Sequence, residues 1–136
     1  MRMLRDFLAF QLAKKIYLSC KFIKVPRQLQ DQLLRASASI ALNIAEGSGK
    51  RTSPDQRRFY SIALGSLREC EAILELENIQ DHALLEQVDQ LGAILYTLTR
   101  DLPQCAHSTQ NRPSTETEAE TPTGRGPVLN RTEADN

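Results

Sequence analysis

The chain has 136 residues, 40% of them hydrophobic, and its 17 Lys and Arg balance 17 Asp and Glu. This length excludes a large multidomain enzyme and suits one domain of ordinary size. Trp is absent, and six Gly and six Pro are too few turn-forming residues for a many-stranded sandwich or barrel. The composition therefore predicts an all-α fold.

The neutral total conceals an uneven distribution of charge. Residues 1–68 carry 13 Lys and Arg against four Asp and Glu, residues 69–101 carry one against eight, and residues 102–136 carry three against five. An asymmetry of this kind suggests a surface that faces a polyanion. Neutrality therefore does not exclude a nucleic-acid partner.

Cysteine content and hydropathy bear on the compartment. Cys20, Cys70 and Cys105 are an odd number without metal-ligand spacing, which indicates neither a disulfide framework nor a zinc site. The basic start imitates a signal peptide, but Gln11 interrupts its apolar run and no small-residue cleavage site follows. No segment approaches the ~20 apolar residues of a membrane span. We expect a cytoplasmic protein that uses no metal or cofactor and has no membrane partner.

Composition changes sharply after Leu102. The following segment is rich in Ser, Thr, Pro, Glu, Asn and Gly, and its only large aliphatic residues are Val128 and Leu129. Such a segment buries too little apolar surface to offset the entropy lost on ordering. We therefore expect a folded domain over residues 1–102 and a disordered polar tail over residues 103–136.

The hydrophobic period predicts two helices before the glycine-rich connection at residues 47–49. The first extends over about Asp6 to Phe22, before Pro26 interrupts it, and its core stripe is Leu8, Leu12, Ile16, Cys20 and Ile23. The second begins near Pro26 and carries two apolar seams, so we expect it to be buried on two sides. Its main seam is Leu29, Leu33, Ala36, Ile40 and Ile44.

The third helix has a clear start signal. Ser53 is the predicted N-cap, Pro54 occupies the first helical position, and Gln56 completes a capping box. The helix reaches about Glu77. Its apolar and small residues at helical spacing are Phe59, Ile62, Ala63, Ser66, Leu67, Cys70, Ile73 and Leu74.

Asp81 is the predicted N-cap of the fourth helix, which extends to Asp101. Its apolar residues alternate in steps of four and three, as in bundle helices. Four helices with short connections predict an antiparallel up-and-down four-helix bundle. Apolar residues off the main stripes also predict self-association, although scattered surface aliphatics are ordinary; these residues are Leu42, Tyr60, Leu64 and Leu76.

The sequence contains no Gly-rich phosphate loop, paired metal-binding histidines or nucleophile elbow. Arg100 and His107 are spaced in a way that loosely resembles the Arg-to-His motif of the HEPN ribonucleases, which are also helical bundles. Pro103 lies between them and would take His107 out of the helix that such a site needs. We therefore expect that the protein is not an enzyme. The enzymatic alternative is an RNA-cleaving bundle that uses Arg100 and His107.

Three residues are locally unfavourable. Asn43 falls on the core seam, and Glu46 stands in the last turn of helix two, where the helix dipole opposes a carboxylate. The structural explanation is that Asn43 caps the following loop while Glu46 pairs with Lys50, Arg51 or an arginine of helix three. Gly65 lies inside a helix, where Gly65 and Ser66 would let another helix approach closely.

Two segments around these residues carry a resemblance. Ser39–Gly47 reads SIALNIAEG and Phe59–Glu71 reads FYSIALGSLRECE. The chain resembles the four-helix bundle proteins encoded in intervening sequences of bacterial 23S ribosomal RNA genes, whose motifs are S-[IV]-x-x-N-I-A-E-G and F-x-x-I-A-x-G-S-x-x-E-x-E. It departs from them at Ala41, where many relatives have Pro, and at Phe10, where many have Trp.

The resemblance implies a non-enzymatic bundle that assembles as a homopentameric ring. The bundle is also similar to the accessory variability determinant of diversity-generating retroelements, a basic pentameric ring that binds nucleic acid and a reverse transcriptase. The matched motif residues are carried over as determinants of fold and assembly: Asn43, Glu46, Gly47, Gly65, Ser66, Glu69 and Glu71.

The basic block supplies a candidate surface for RNA or DNA on helix one and around the helix two to helix three connection: Lys14, Lys21, Lys24, Arg27, Lys50, Arg51, Arg57 and Arg58. Such side chains contact phosphates without reading sequence. No aromatic platform is interleaved among them in the sequence. Alternatively they solvate helix faces or pair with the acidic block of a neighbouring subunit, and the chain is a protein adaptor without nucleic acid.

Overall fold

The computed structural model describes residue 4 and residues 7–100 of the chain. This part contains four helices and no strand: α1 (Leu8–Cys20), α2 (Arg27–Ser48), α3 (Ser53–Leu76) and α4 (His82–Thr99). Contacts join α1 to α2, α2 to α3, α3 to α4 and α4 back to α1. The predicted antiparallel up-and-down four-helix bundle is therefore confirmed. The predicted tail and the boundary at residue 102 lie outside the described residues.

The cap of α3 differs from the prediction. Thr52 has an extended backbone and is the N-cap, whereas Ser53 is already helical. Thr52 Oγ1 accepts a hydrogen bond from the Asp55 backbone N–H at 3.4 Å and donates to Asp55 Oδ2 at 2.8 Å. Gln56 instead donates from Nε2 to the carbonyl of Lys50 at 3.0 Å. The predicted start of α4 is confirmed, because Asp81 Oδ1 accepts from the Leu84 backbone N–H at 3.1 Å.

The core confirms most of the predicted stripes, with differences at single positions on two helices. On α1 the buried residues begin at Ala9, and Leu8 is 57% exposed, so its predicted core position is wrong. On α3 Tyr60 is buried while Ile62 is 44% exposed. A small residue explains the difference on α3, because the Tyr60 ring fills the space beside Gly47.

Gly65 and Asn43 play different parts from those predicted. A side chain added at Gly65 would meet nothing within 4 Å, so this glycine does not permit a close helix approach within the chain. Asn43 does not cap the following loop but donates from Nδ2 to the Ser39 carbonyl one turn earlier, at 2.8 Å. Of the three partners predicted for Glu46, the first is present, since Lys50 Nζ lies 2.8 Å from Glu46 Oε1.

Candidate nucleic-acid interface

The eight candidate basic residues do not form one continuous patch. Lys21, Lys24 and Arg27 lie at the connection between α1 and α2, and four others lie around the connection between α2 and α3: Lys50, Arg51, Arg57 and Arg58. The 22 residues of α2 separate these groups by about 33 Å at 1.5 Å per residue. Lys14 lies midway along α1. The two groups therefore occupy opposite ends of the bundle.

The end that holds the α2–α3 connection carries a surplus of positive charge. The start of α1 reaches it, since the rings of Phe7 and Tyr60 lie 6.3 Å apart. The end of α4 reaches it as well, because α4 is antiparallel to α3, and this adds Arg100. We call this region the basic end and define it by Lys50, Arg51, Arg57, Arg58 and Arg100.

Among the described residues, few carboxylates at the basic end offset its positive charge. Asp55 is engaged with the Thr52 cap, and Glu46 is paired with Lys50. Arg51 and Arg58 are exposed. At the opposite end Lys21, Lys24 and Arg27 are accompanied by acidic side chains from the last turn of α3 and the α3–α4 connection, which balance them: Glu75, Glu77 and Asp81. The net positive charge is therefore concentrated at the basic end.

Aromatic rings accompany two of the candidate cations, Lys21 and Lys50, and also Arg100. Lys50 Nζ lies 5.0 Å from the centre of the Phe59 ring, and Lys21 Nζ lies 4.7 Å from that of Tyr17. The guanidinium carbon of Arg100 lies 5.5 Å from the centre of the Tyr96 ring. The separation of only four residues between Tyr96 and Arg100 was a sequence signal for such a pair.

Two motif residues of α3, Ser66 and Glu69, join this helix to α2. Ser39 and Ser66 hydrogen bond through their hydroxyls at 2.9 Å, and Gln32 Nε2 donates to Glu69 Oε1 at 2.8 Å. These side chains line an open polar groove of about 550 Å³ together with the exposed Arg35. Their arrangement stabilises the pairing of α2 and α3.

The remaining motif carboxylate, Glu71, pairs with Arg68 of the same helix at 2.7 Å. Arg100 follows the last residue of α4 with an extended backbone, and its predicted partner in a ribonuclease site, His107, lies outside the described residues. Within the described part, no group of three or more His, Cys, Asp or Glu could hold a metal ion. In the same part, no helix is long and apolar enough to cross a membrane.

Comparisons with known proteins agree with this fold. A solved structure of a protein of unknown function from the S23 ribosomal protein family of Bacteroides thetaiotaomicron is 24% identical, with a TM-score of 0.57. The match covers 73% of this chain and 100% of that one, and it shows the shared fold. No curated protein matches the chain. Residues 7–105 match the family described as 23S rRNA-intervening sequence protein, and the chain therefore belongs to that family.

Proposed function

We propose that this protein is a non-enzymatic, oligomeric helical bundle that associates with nucleic acid through its basic end. Ribosomal RNA, or an RNA bound by a reverse transcriptase, is the expected partner. The observation that carries the proposal is the cluster of cations at the α2–α3 connection and the end of α4, where the two carboxylates are engaged locally. Arg51 and Arg58 are exposed and available to phosphates.

Phosphate contacts from such side chains give binding that weakens steeply with salt and that discriminates poorly between sequences. Lys50 is held in place by Glu46 and the Phe59 ring, so less side-chain entropy is lost when it meets a phosphate. A homopentameric ring would present five basic ends to one nucleic acid. Avidity would then compensate for a weak contact at each subunit.

The test is filter binding of structured RNA and duplex DNA at several salt concentrations. The double variant Arg51→Gln/Arg58→Gln removes charge from the basic end, and the matched control Lys24→Gln/Arg27→Gln removes the same charge from the opposite end. We expect the first to flatten the salt dependence of the logarithm of the binding constant by about 0.9 per lost duplex contact. Equal loss in the two variants, or no binding at low salt, would refute the proposal.

A second candidate is an adaptor whose partner is another protein, a reverse transcriptase among the possibilities. Its support is the exposure of large apolar side chains: Phe22 is 83% exposed and Leu76 is 76% exposed, both at the end opposite the basic end. Such residues favour protein contacts. Co-purification from the native host with and without nuclease distinguishes the two candidates, because an adaptor keeps its partner after nuclease treatment.

A further inference from the structure

A second groove runs along the outer side of α3 and α4. Its volume is about 380 Å³, near the lower bound for pockets that hold small ligands. Gly92 and Ala93 line it with small residues, Val88 adds an apolar surface, and Tyr96 adds an aromatic one. The small residues leave the groove open beside the tyrosine ring.

Tyr96 presents an accessible aromatic ring to this groove, because 55% of the residue is exposed. Arg100 lies over its ring; Tyr96 is in the last turn of α4 and Arg100 directly follows the helix, toward the basic end. A tyrosine ring next to a guanidinium is the combination on which proteins stack unpaired bases while the cation meets the neighbouring phosphate. A strand held by the basic end would pass this pair.

Some charged side chains along the groove form ion pairs with each other and one does not. Arg68 and Glu71 on α3 pair with each other at 2.7 Å. Asp89 on α4 is exposed and makes no hydrogen bond or ion pair with the described residues. A free carboxylate accepts hydrogen bonds from the exocyclic amino groups of bases. An apolar protein side chain in the same groove would instead leave charges of both signs partly desolvated.

We infer that the groove between α3 and α4 binds a base of single-stranded nucleic acid, which stacks on Tyr96 while Arg100 contacts the adjoining phosphate and Asp89 accepts from the base. This inference rests on the proposed function and assigns the groove its own ligand, an unpaired strand, among the nucleic acids that the basic end binds. Duplexes lack an accessible base face, so they engage only the basic end.

The experiment uses the full chain and fluorescence anisotropy with a labelled single-stranded RNA of about 12 nucleotides, and the duplex of the same sequence as a second ligand. The variants are Tyr96→Ala and Tyr96→Phe, with Tyr17→Ala as the matched control because Tyr17 carries a cation over its ring on another helix. Ala93→Leu adds a fourth variant that fills the groove from an exposed position.

We expect Tyr96→Ala to weaken single-strand binding by about 5- to 150-fold, the range for one stacked base, and to leave duplex binding unchanged. Ala93→Leu should act in the same direction, whereas Tyr96→Phe and Tyr17→Ala should bind the strand normally. Adenosine and guanosine monophosphates should compete only weakly, because they lack the phosphates that reach the basic end.

Each other outcome overturns the inference in a distinguishable way. If Tyr96→Ala binds the strand normally while Arg51→Gln/Arg58→Gln does not, the groove is not a base site and the proposed function stands. If a mononucleotide binds in a Tyr96-dependent manner and the strand does not, the strand is the wrong ligand. If Tyr96→Ala lowers the particle mass in light scattering, the groove is a subunit contact. If no nucleic acid binds, both proposals fail.

Discussion

The ring of Tyr60 packs directly on Gly47, and a Cβ added at Gly47 would lie 2.8 Å from Tyr60 Cε1 and 3.1 Å from Phe59 Cβ. Tyr60 is only 6% exposed, so its ring has little room to move away. Two motif segments that are separate in the sequence thus meet where α2 ends and α3 begins. This contact accounts structurally for the glycine that closes the NIAEG segment.

Gly47→Ala should destabilise the fold. Alanine is favoured over glycine in a helix by about 1 kcal/mol, but the clash with a buried ring should cost about 1–3 kcal/mol, so the free energy of unfolding should fall. Gly65→Ala is the matched control, because open space surrounds the added methyl group and only the helical preference operates. Urea denaturation should show opposite signs for the two variants. A stabilised Gly47→Ala would contradict the close contact.

Thr52→Ala should lower the free energy of unfolding by about 0.5–2 kcal/mol, because it removes the cap of α3. Ser53→Ala should have little effect, since Ser53 lies within the helix and is exposed. Denaturation of the two variants under the same conditions tests which residue caps the helix. A larger loss of unfolding free energy from Ser53→Ala would show that Ser53 is the N-cap, as the sequence pattern predicted.

Ser66→Ala should destabilise the bundle by about 0.5–1.5 kcal/mol, the ordinary worth of a hydrogen bond. The Ser39 hydroxyl would lose the partner that it has on α3, although it still accepts from Asn43 Nδ2 at 3.0 Å. A double-mutant cycle with Ser39→Ala measures the coupling between the two hydroxyls. Ser61→Ala on the same helix is the exposed control. If the effects of Ser39→Ala and Ser66→Ala are additive, the hydrogen bond between these two hydroxyls does not contribute to stability.

Stability should decline above about pH 9 because of two buried thiols. Burial raises the pKa of Cys20 from 9.0 to about 11, and burial together with the nearby Cys20 and Glu69 raises that of Cys70 to about 12. Between these values the unfolded chain releases protons that the folded chain retains, so rising pH favours unfolding. Below pH 9.0 both states keep the protons and the contribution is constant.

The measurement is urea denaturation from about pH 8 to about pH 11, with Cys20→Ala/Cys70→Ala for comparison. The variant should be less stable at the lower pH, because it loses buried volume, but it should depend less on pH. The Tyr60 hydroxyl, whose pKa burial also raises, is present in both proteins and cancels in the comparison. Parallel pH profiles would show that the thiols do not contribute.

Interactions between residues close in the sequence were sufficient to predict the secondary structure and the fold class. The apolar spacing from Leu84 to Leu95 and the cap at Asp81 depend only on helical geometry and on the backbone groups of one helix. The same holds for the pairing of Glu46 with Lys50, which lies four residues later, just beyond the end of α2. Errors in core positions and capping were small: Ala9 replaced Leu8 in the core, and Thr52 replaced Ser53 as the cap.

The grouping of charges was decided only by the tertiary structure. Arg27 and Lys50 belong to one basic block of the sequence, yet α2 places them at opposite ends of the bundle. Arg100 follows an acidic block, yet the antiparallel return of α4 brings it to the basic end beside Tyr96. Charge counts along a chain follow residue number, whereas surface potential follows the positions of helix ends in space. That difference is why the sequence predicts the helices but not the surface that they create.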